Sequence, residues 1–391
     1  MRKTLALATV VATMFGVSSL HAQETVRIGV ILPYTGQFAD PAVQMDNGIK
    51  LYVAQNGTTV AGKKIEIIRK DSGGIYPDVA RRLARELVVQ ENVDILAGFA
   101  LTPNALAVAD VATQSQKFMV NMNAATAIVT TKSPYMVRTS FTLPQLNQTL
   151  GTWAYNSGIR RIYTLVSDFS PGHDAEASFH KGFKDAGGEI VGASRYPANT
   201  LDFAAYMQRV KDAGTDSIYI WTPGGSQPSA IAKALVERGI DPRKTKILGQ
   251  GELTFEDALR GMGDTAIGII TALHYDYTHD SALNRDFVAR YRQAYGRNPD
   301  MFSVSAYDGM RVIYEALKKT EGKTAGDGLI AAAKGLSFES PRGPIAIDPA
   351  TRDIIQTVYI RRVEKVGNEL RNVEFEKIDN VKDPFKAGMV N

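Results

Sequence analysis

The chain has 391 residues, and its 45 Lys and Arg against 41 Asp and Glu give a formal net charge of +4. Charges of both signs are interspersed, without the basic stripe or tail expected of a nucleic-acid-binding protein. There is no cysteine, which excludes disulfides, thiolate catalysis, cysteine-based metal sites and a lipid-modified cysteine. The length exceeds one typical core and predicts about two domains.

The first 22 residues have the pattern of an export signal. Arg2 and Lys3 precede an apolar run at 5–17, and small residues lead to Ala22, which suits the last position before a signal-peptidase cut. The alternative is a membrane anchor, but the apolar run is shorter than the roughly 20 residues that span a bilayer. We therefore predict cleavage near Ala22 and a mature protein that is free in the periplasm.

The segment that follows alternates short apolar runs with amphipathic helices. Residues 28–32, 93–97 and 118–120 are almost continuously apolar, as is typical of parallel strands buried on both faces. Val79 and Leu83 lie at helical spacing between the first two runs. This alternation predicts a doubly wound α/β lobe with a parallel sheet.

Farther along, one unit recurs: an amphipathic helix, a glycine and a β-branched run. The glycines at Gly158, Gly187, Gly214 and Gly239 are placed to end the helices, because glycine adopts the left-handed conformation at little cost. The series starts afresh near Arg161 and predicts a second doubly wound parallel sheet.

The last third of the chain changes character. Residues 281–333 are mostly helical in pattern, whereas 343–347, 354–363 and 373–378 have the pattern of strands. This order indicates that the chain crosses between two lobes more than once. The predicted divisions are a signal peptide at 1–22, a first lobe at 23–141 plus about 274–345, and a second lobe at 142–273 plus about 346–391.

Motifs for catalysis, metals and cofactors are missing. The pairs His173 and His180, and His274 and His279, do not have a zinc-binding spacing. There is no nucleophile elbow, no phosphate-binding loop that ends in Lys-Ser/Thr, and no His-Glu-x-x-His. The run 249–252 is too short for a dinucleotide fingerprint. We therefore expect no catalytic residue, no metal and no cofactor.

Small polar turns follow three strands of the first lobe, at 33–38, 98–104 and 121–126. Ligands of open α/β sheets lie beyond the carboxyl ends of the strands, where helix N-termini offer N–H groups to an anion. Thr102 taken alone is better explained as a cap of the helix that begins with Pro103. Three such turns together favour a shared carboxylate cradle.

Turns of the same kind follow the second-lobe strands. Phe169 and Trp221 could supply apolar walls, and Glu252 or Asp168 a charged partner. The alternative is that a tryptophan at a strand end only packs in the core. The ligand cleft is expected between the two lobes.

Five stretches carry a resemblance to a known family: 26–36 (Val-Arg-Ile-Gly-Val-Ile-Leu-Pro-Tyr-Thr-Gly), 124–126 (Ala-Ala-Thr), 138–140 (Arg-Thr-Ser), 249–251 (Gly-Gln-Gly) and 305–308 (Ser-Ala-Tyr-Asp). In these the chain resembles the leucine/isoleucine/valine-binding family of periplasmic proteins, with the type I solute-binding fold, over essentially the whole mature sequence. The resemblance implies two lobes joined by three crossover strands that close on a solute like a hinge. It also implies that Thr102, Ala124 and Thr126 hold the α-carboxylate of the ligand.

The sequence departs from the amino-acid-binding members of that family. Pro171 and Gly172 stand where the family has a tyrosine, and the glutamate that receives the ligand ammonium falls near Gly251, with Glu252 one place along. The resemblance implies a binding protein of an ABC importer for a branched-chain or other hydrophobic amino acid. The departures leave open the alternative that the ligand is an aromatic or other hydrophobic carboxylic acid.

The predicted ligand-binding residues are Tyr34, Phe38, Ala100, Leu101, Thr102, Ala124, Thr126, Phe169, Gly172, Trp221, Gly251, Glu252 and Tyr307. The expected partners are a small carboxylate and an ABC permease in the inner membrane, with the protein acting as a monomer. A periplasmic sensor or receptor domain of the same fold is an alternative. A third alternative is a periplasmic enzyme, but the missing catalytic motifs argue against it.

Overall fold

The computed structural model describes residues 24–387, so the predicted signal peptide lies outside the described residues. The strands are β1 (Thr25–Leu32), β2 (Thr59–Val60), β3 (Lys63–Asp71), β4 (Ile95–Gly98), β5 (Phe118–Asn121), β6 (Met136–Arg138), β7 (Arg161–Ser167), β8 (Glu189–Tyr196), β9 (Ser217–Trp221), β10 (Lys246–Gln250), β11 (Ile270–Leu273), β12 (Ser337–Ser340), β13 (Gly343–Ile347), β14 (Ile354–Val366) and β15 (Glu369–Val381). The α-helices are α1 (Ala39–Asn56), α2 (Pro77–Val89), α3 (Thr102–Gln114), α4 (Leu143–Asn156), α5 (Ser170–Asp185), α6 (Ala204–Asp212), α7 (Gln227–Glu237), α8 (Glu256–Met262), α9 (Ala282–Tyr295), α10 (Met301–Lys319) and α11 (Gly326–Ala333). Among the described residues, no helix combines the length and the apolar character that a membrane span requires.

The first lobe is built on a sheet with the strand order β2-β3-β1-β4-β5-β6. All its neighbouring strands are parallel except β2 and β3. β4 and β5 are buried along their whole length, as the apolar runs predicted, because helices cover both faces of the sheet. α10 packs along α1, and α11 contacts β5 and β6, so the late helical segment belongs to this lobe.

The second lobe is built on a sheet with the order β12-β13-β14-β11-β10-β9-β7-β8, and β15 pairs with β14. The strands from β7 to β11 pair in parallel, whereas β12 to β15 add an antiparallel extension. This extension corrects one predicted division. Residues 337–345, assigned to the first lobe by sequence, join the second sheet because β12 and β13 form a hairpin that pairs with β14.

The chain crosses between the sheets three times. It passes from β6 to α4 through 139–142, where the Thr142 hydroxyl accepts a hydrogen bond from the Gln145 N–H (3.1 Å) and caps α4. It returns after β11 into α9, and it leaves the first lobe again after α11. The chain therefore has the α/β architecture of two doubly wound lobes, with the carboxyl ends of several parallel strands facing a shared cleft.

Candidate ligand-binding site

A cavity that is partly open to solvent, with about 570 Å³ of empty space, lies between the two lobes. Its lining comes from the turns that follow the parallel strands, from the first residues of the helices after them, from the first crossing and the start of α4, and from α10. The lining residues are Phe38, Pro41, Ala100, Leu101, Thr102, Pro103, Asn123, Ala125, Phe141, Leu143, Phe169, Pro171, Trp221, Pro223, Glu252 and Phe302. Rings and prolines dominate this set, and it contains no Lys, Arg or His.

The structure brings together predicted residues from both lobes in this lining. They are Phe38, Ala100, Leu101, Thr102, Phe169, Trp221 and Glu252. The predicted turns at the strand ends therefore face each other across the cleft.

Hydrogen-bond donors without protein partners lie at the first-lobe end of the cavity. The Thr126 Oγ1 donates to the Thr102 Oγ1 (3.1 Å), so the Thr102 proton is free to point to a ligand. Within the described chain, the backbone N–H of Ala125, which lines the cavity, donates to no protein acceptor. Thr102 also opens α3, whose first-turn N–H groups have no partner in the helix. This end can bind an anion through neutral donors.

A buried arginine holds the turn that carries these donors. The Arg138 guanidinium donates to the carbonyl oxygens of Ala124 and Thr126 (both 3.0 Å) and to the Asp353 Oδ1 (2.9 Å). The Arg138 and Asp353 side chains are fully buried. Because the carbonyls of the turn are bound from behind, its N–H groups are held toward the cleft side.

The turn before Thr102 has a strained backbone. Gly98 has φ +105°, and a Cβ there would come within 2.7 Å of the Ile31 carbonyl oxygen. Phe99 follows with φ +66°, a conformation that costs a residue with a side chain free energy. The Phe99 carbonyl accepts the Ala124 N–H (2.9 Å), so the strained residue joins the two turns at the first-lobe end of the cavity.

The second-lobe end of the cavity consists of side chains. The rings of Phe169 and Trp221 are tilted against each other with centroids 5.7 Å apart. Glu252 lies on the 3₁₀ turn Gly251–Thr254 after β10 and is 7% exposed. Burial raises the pKa of its carboxyl to about 8, so Glu252 carries a proton at neutral pH.

The predicted tyrosines lie away from the cavity. Tyr34 donates its hydroxyl to the Asp46 Oδ1 (3.3 Å). Tyr307 lies on the face of α10 that packs on α1, where its hydroxyl donates to the Gln55 Oε1 (2.5 Å) and its ring contacts Tyr52. Both rings are committed to packing within the first lobe and do not line the cavity.

The predicted glycines have packing roles. A Cβ on Gly172 would meet the Ser167 carbonyl oxygen at 1.8 Å, and one on Gly251 would meet Leu273 at 2.6 Å. These positions need glycine because another element approaches them closely, and neither lines the cavity. Ala124 and Thr126 lie directly behind the lining, where they support Thr102 and the turn.

Sequence reasoning missed several lining residues. They are Pro41, Pro103, Asn123, Ala125, Phe141, Leu143, Pro171, Pro223 and Phe302. Five of them, Pro103, Asn123, Ala125, Pro171 and Pro223, fall within the strand-end turns already singled out, so their position in those turns could have identified them. Phe141 and Leu143 sit where the chain crosses between lobes. The sequence did not indicate that Phe302 faces the cavity, because α10 has buried residues on most of its faces.

Two contacts cross the cleft outside the cavity. Arg297, between α9 and α10, pairs with Asp40 of the first lobe (2.6 Å) and with Asp257 of the second (2.7 Å). The Asp174 carboxylate on α5 accepts the Ala127 N–H (2.8 Å). The two lobes are therefore in contact at two places outside the cavity lining.

Metal chemistry has no support in the described part of the chain, where no group of three or more His, Asp or Glu could hold a metal ion. His274, one of the histidines tested in the sequence, is buried behind Phe141 with ring centroids 5.2 Å apart, and its Nε2 lies 3.1 Å from the Ser305 Oγ. Burial lowers the pKa of His274, which keeps the ring neutral.

A profile of the periplasmic binding protein family matches residues 25–368. The chain belongs to this family. It is 39% identical over 385 residues, 98% of either chain, to the Leu/Ile/Val-binding protein homolog 6 of Brucella abortus strain 2308. The chain also matches solved structures of solute-binding proteins of ABC transporters. This periplasmic binding protein is likewise a solute-binding protein of an ABC transporter.

Two of those structures come from Rhodopseudomonas palustris. The protein of strain BisB5, in complex with 3,4-dihydroxybenzoic acid, is 49% identical with a TM-score of 0.89, and the match covers 93% of this chain and 99% of that one. The protein of strain HaA2, in complex with p-hydroxybenzoic acid, is 40% identical with a TM-score of 0.90, covering 93% and 100%.

Proposed function

We propose that this periplasmic binding protein captures one aromatic carboxylate in its cleft and passes it unchanged to an ABC permease in the inner membrane. The observation that carries the proposal is the cavity lining, which joins rings from both lobes with unpaired donors at the first-lobe end. Aromatic walls favour an aromatic ligand, because ring contacts add about 0.5–1.5 kcal/mol beyond the burial of apolar area.

The carboxylate of the ligand is assigned to the first-lobe end. A carboxylate only accepts hydrogen bonds, and the Thr102 hydroxyl proton and the Ala125 N–H each lack an acceptor. The start of α3 adds the positive end of a helix dipole. Hydrogen bonds to a charged acceptor are about twice as strong as neutral ones, which suits a cavity without a basic side chain.

A hydrophobic amino acid is the second candidate. The names of the Brucella relatives favour it, and Glu252 could ionise to receive an ammonium group. The aromatic acid is better supported because Pro171 provides no polar partner and because two relatives at 49% and 40% identity have hydroxylated benzoic acids bound.

The test is a calorimetric and thermal-shift comparison of benzoate, 4-hydroxybenzoate, leucine and phenylalanine on the purified mature chain. A ligand at a hundredfold its Kd should stabilise the fold by roughly 2.7 kcal/mol. We expect the benzoates to raise the melting temperature and the amino acids to leave it unchanged. Stabilisation by leucine alone would establish the second candidate, and stabilisation by none of the four would contradict the proposal.

The remaining parts of the proposal concern location and turnover. We propose that residues 1–22 direct export and are removed, and that the mature protein acts in the periplasm as a monomer. The bound acid should be recovered chemically unchanged after denaturation, as chromatography of the extract would establish. Cell fractionation with N-terminal sequencing tests the export step, and light scattering tests the monomer.

A further inference from the structure

Glu252 is a buried carboxyl without a partner. It lines the cavity, it is 7% exposed, and within the described chain it forms no hydrogen bond and no ion pair. Burial raises its pKa to about 8, and no charged neighbour contributes to the shift. The protonated carboxyl therefore faces the cavity with one donor and one acceptor unused.

Trp221 presents a second unused polar group at the same end. The residue is 2% exposed and lines the cavity, and its Nε1–H is buried without an acceptor. The Tyr196 hydroxyl donates to the Trp221 carbonyl (2.9 Å), which fixes the end of β9. A buried donor that is left unpaired destabilises the site, so binding is favoured when a ligand supplies an acceptor.

The two groups together match one kind of ligand atom. A hydroxyl oxygen can accept from the Trp221 N–H while its proton goes to the Glu252 carboxyl. An ammonium group cannot accept from Trp221, since it only donates. A second carboxylate would bury a second negative charge in a lining without a basic side chain.

We propose that Glu252 and Trp221 form a hydroxyl subsite, which selects aromatic acids that carry a ring hydroxyl opposite the carboxylate. This inference rests on the proposed function and deepens it. The subsite lies on the second lobe and the carboxylate donors lie on the first, so a ligand that reaches both ends holds the closed cleft together.

The test compares benzoate and 4-hydroxybenzoate on wild type, Glu252→Leu, Glu252→Gln and Trp221→Phe by isothermal titration calorimetry. Wild type should bind 4-hydroxybenzoate at least tenfold more tightly than benzoate. Glu252→Leu should weaken 4-hydroxybenzoate binding roughly ten- to a hundredfold and leave benzoate binding within about threefold. Glu252→Gln, which keeps a donor and an acceptor, should retain most of the selectivity. Trp221→Phe, which keeps the ring wall, should lose roughly three- to tenfold for 4-hydroxybenzoate only.

The outcomes separate this inference from the proposed function. Benzoate binding by Glu252→Leu would establish that the variant is folded and its carboxylate end intact. Equal losses for both ligands, or equal affinities of wild type for both, would overturn the hydroxyl subsite and leave aromatic-acid capture standing. Tighter binding of terephthalate than of 4-hydroxybenzoate would also overturn it. If wild type bound no aromatic acid, the proposed function itself would fail.

Discussion

The two ends of the cavity are built in different ways. The first-lobe end consists of backbone N–H groups and one threonine hydroxyl, held from behind by Arg138 and by the Phe99 carbonyl. The second-lobe end consists of the side chains of Trp221 and Glu252, whose polar atoms have no protein partner. Both ends therefore keep hydrogen-bonding groups for a ligand, but the backbone holds most of them at the first-lobe end and side chains supply all of them at the second-lobe end.

This difference separates a general function from a specific one. Backbone donors at strand ends bind any carboxylate, because their position depends on the fold and little on side-chain identity. At the opposite end the identity of the side chains decides which polar groups face the ligand, so this end is suited to choosing among carboxylates. The predictions below test whether the two ends are in fact independent.

The largest effect is expected from Arg138→Leu. It removes the positive charge that pairs with the buried Asp353 carboxylate. It also removes one hydrogen bond each from the carbonyl oxygens of Ala124 and Thr126, which keep only those from the Asn121 amide and the Val129 N–H. Breaking such a buried ion pair costs about 3–5 kcal/mol of the free energy of unfolding, measurable by urea denaturation. Arg161→Leu, which removes an exposed pair with Glu189, should cost less than about 1 kcal/mol. Similar losses for both variants would mean that Arg138 does not support the turn.

Thr102→Ala should weaken all aromatic acids alike. The hydroxyl is proposed to bind the carboxylate that benzoate and 4-hydroxybenzoate share, and a hydrogen bond to a charged group contributes about 1.5–3 kcal/mol. Calorimetry should give the same loss for both ligands, in contrast to Glu252→Leu. Thr113→Ala on the same helix is the matched control, because the Thr113 Oγ1 donates to the Ala109 carbonyl outside the cavity. Unchanged binding by Thr102→Ala would remove it from the carboxylate end.

Because Glu252 is protonated in the folded state, the free energy of unfolding should decrease as the pH rises. The folded pKa of about 8 lies above the ordinary 4.5, so the folded state holds a proton that the unfolded state releases between these values. Wild-type stability should therefore fall relative to Glu252→Gln as the pH rises from 6 to 7, by up to about 1.4 kcal/mol. Urea denaturation of both proteins at the two pH values measures this difference and cancels the other titrating groups. A difference that stays constant would mean that Glu252 is already ionised.

The smallest effect is expected from Asp257→Asn, which breaks the pair with Arg297 across the cleft. The pair is about a quarter exposed, so its contribution to closure should be at most about 1 kcal/mol and should fall at high salt. We expect a two- to fivefold loss of affinity that is equal for benzoate and 4-hydroxybenzoate. Asp264→Asn, whose partner Lys365 lies in the same lobe, should have no effect on binding. A loss confined to one ligand would tie this pair to selectivity instead of closure.

Local pattern was enough to predict much of the fold. The apolar runs that became β1, β4 and β5 and the glycines after the second-lobe helices depend on neighbours in sequence, and they predicted the two α/β lobes. The strand-end turns around Thr102 and Trp221 followed from a general property of parallel sheets. The division at 345 failed, because the pairing of β12 and β13 with β14 is a contact that no local pattern encodes.

The sequence by itself determined the alternation of strands and helices, the absence of cysteine and the turns from which a carboxylate can be bound. Only the tertiary structure decided which side chains face the cavity. Tyr34 and Tyr307 pack within the first lobe, whereas Phe141 and Phe302 line the cavity, because the direction of a side chain depends on the element packed against it. The proton on Glu252 is likewise a product of tertiary burial, since its pKa rises only when the two lobes and the turn around it exclude water.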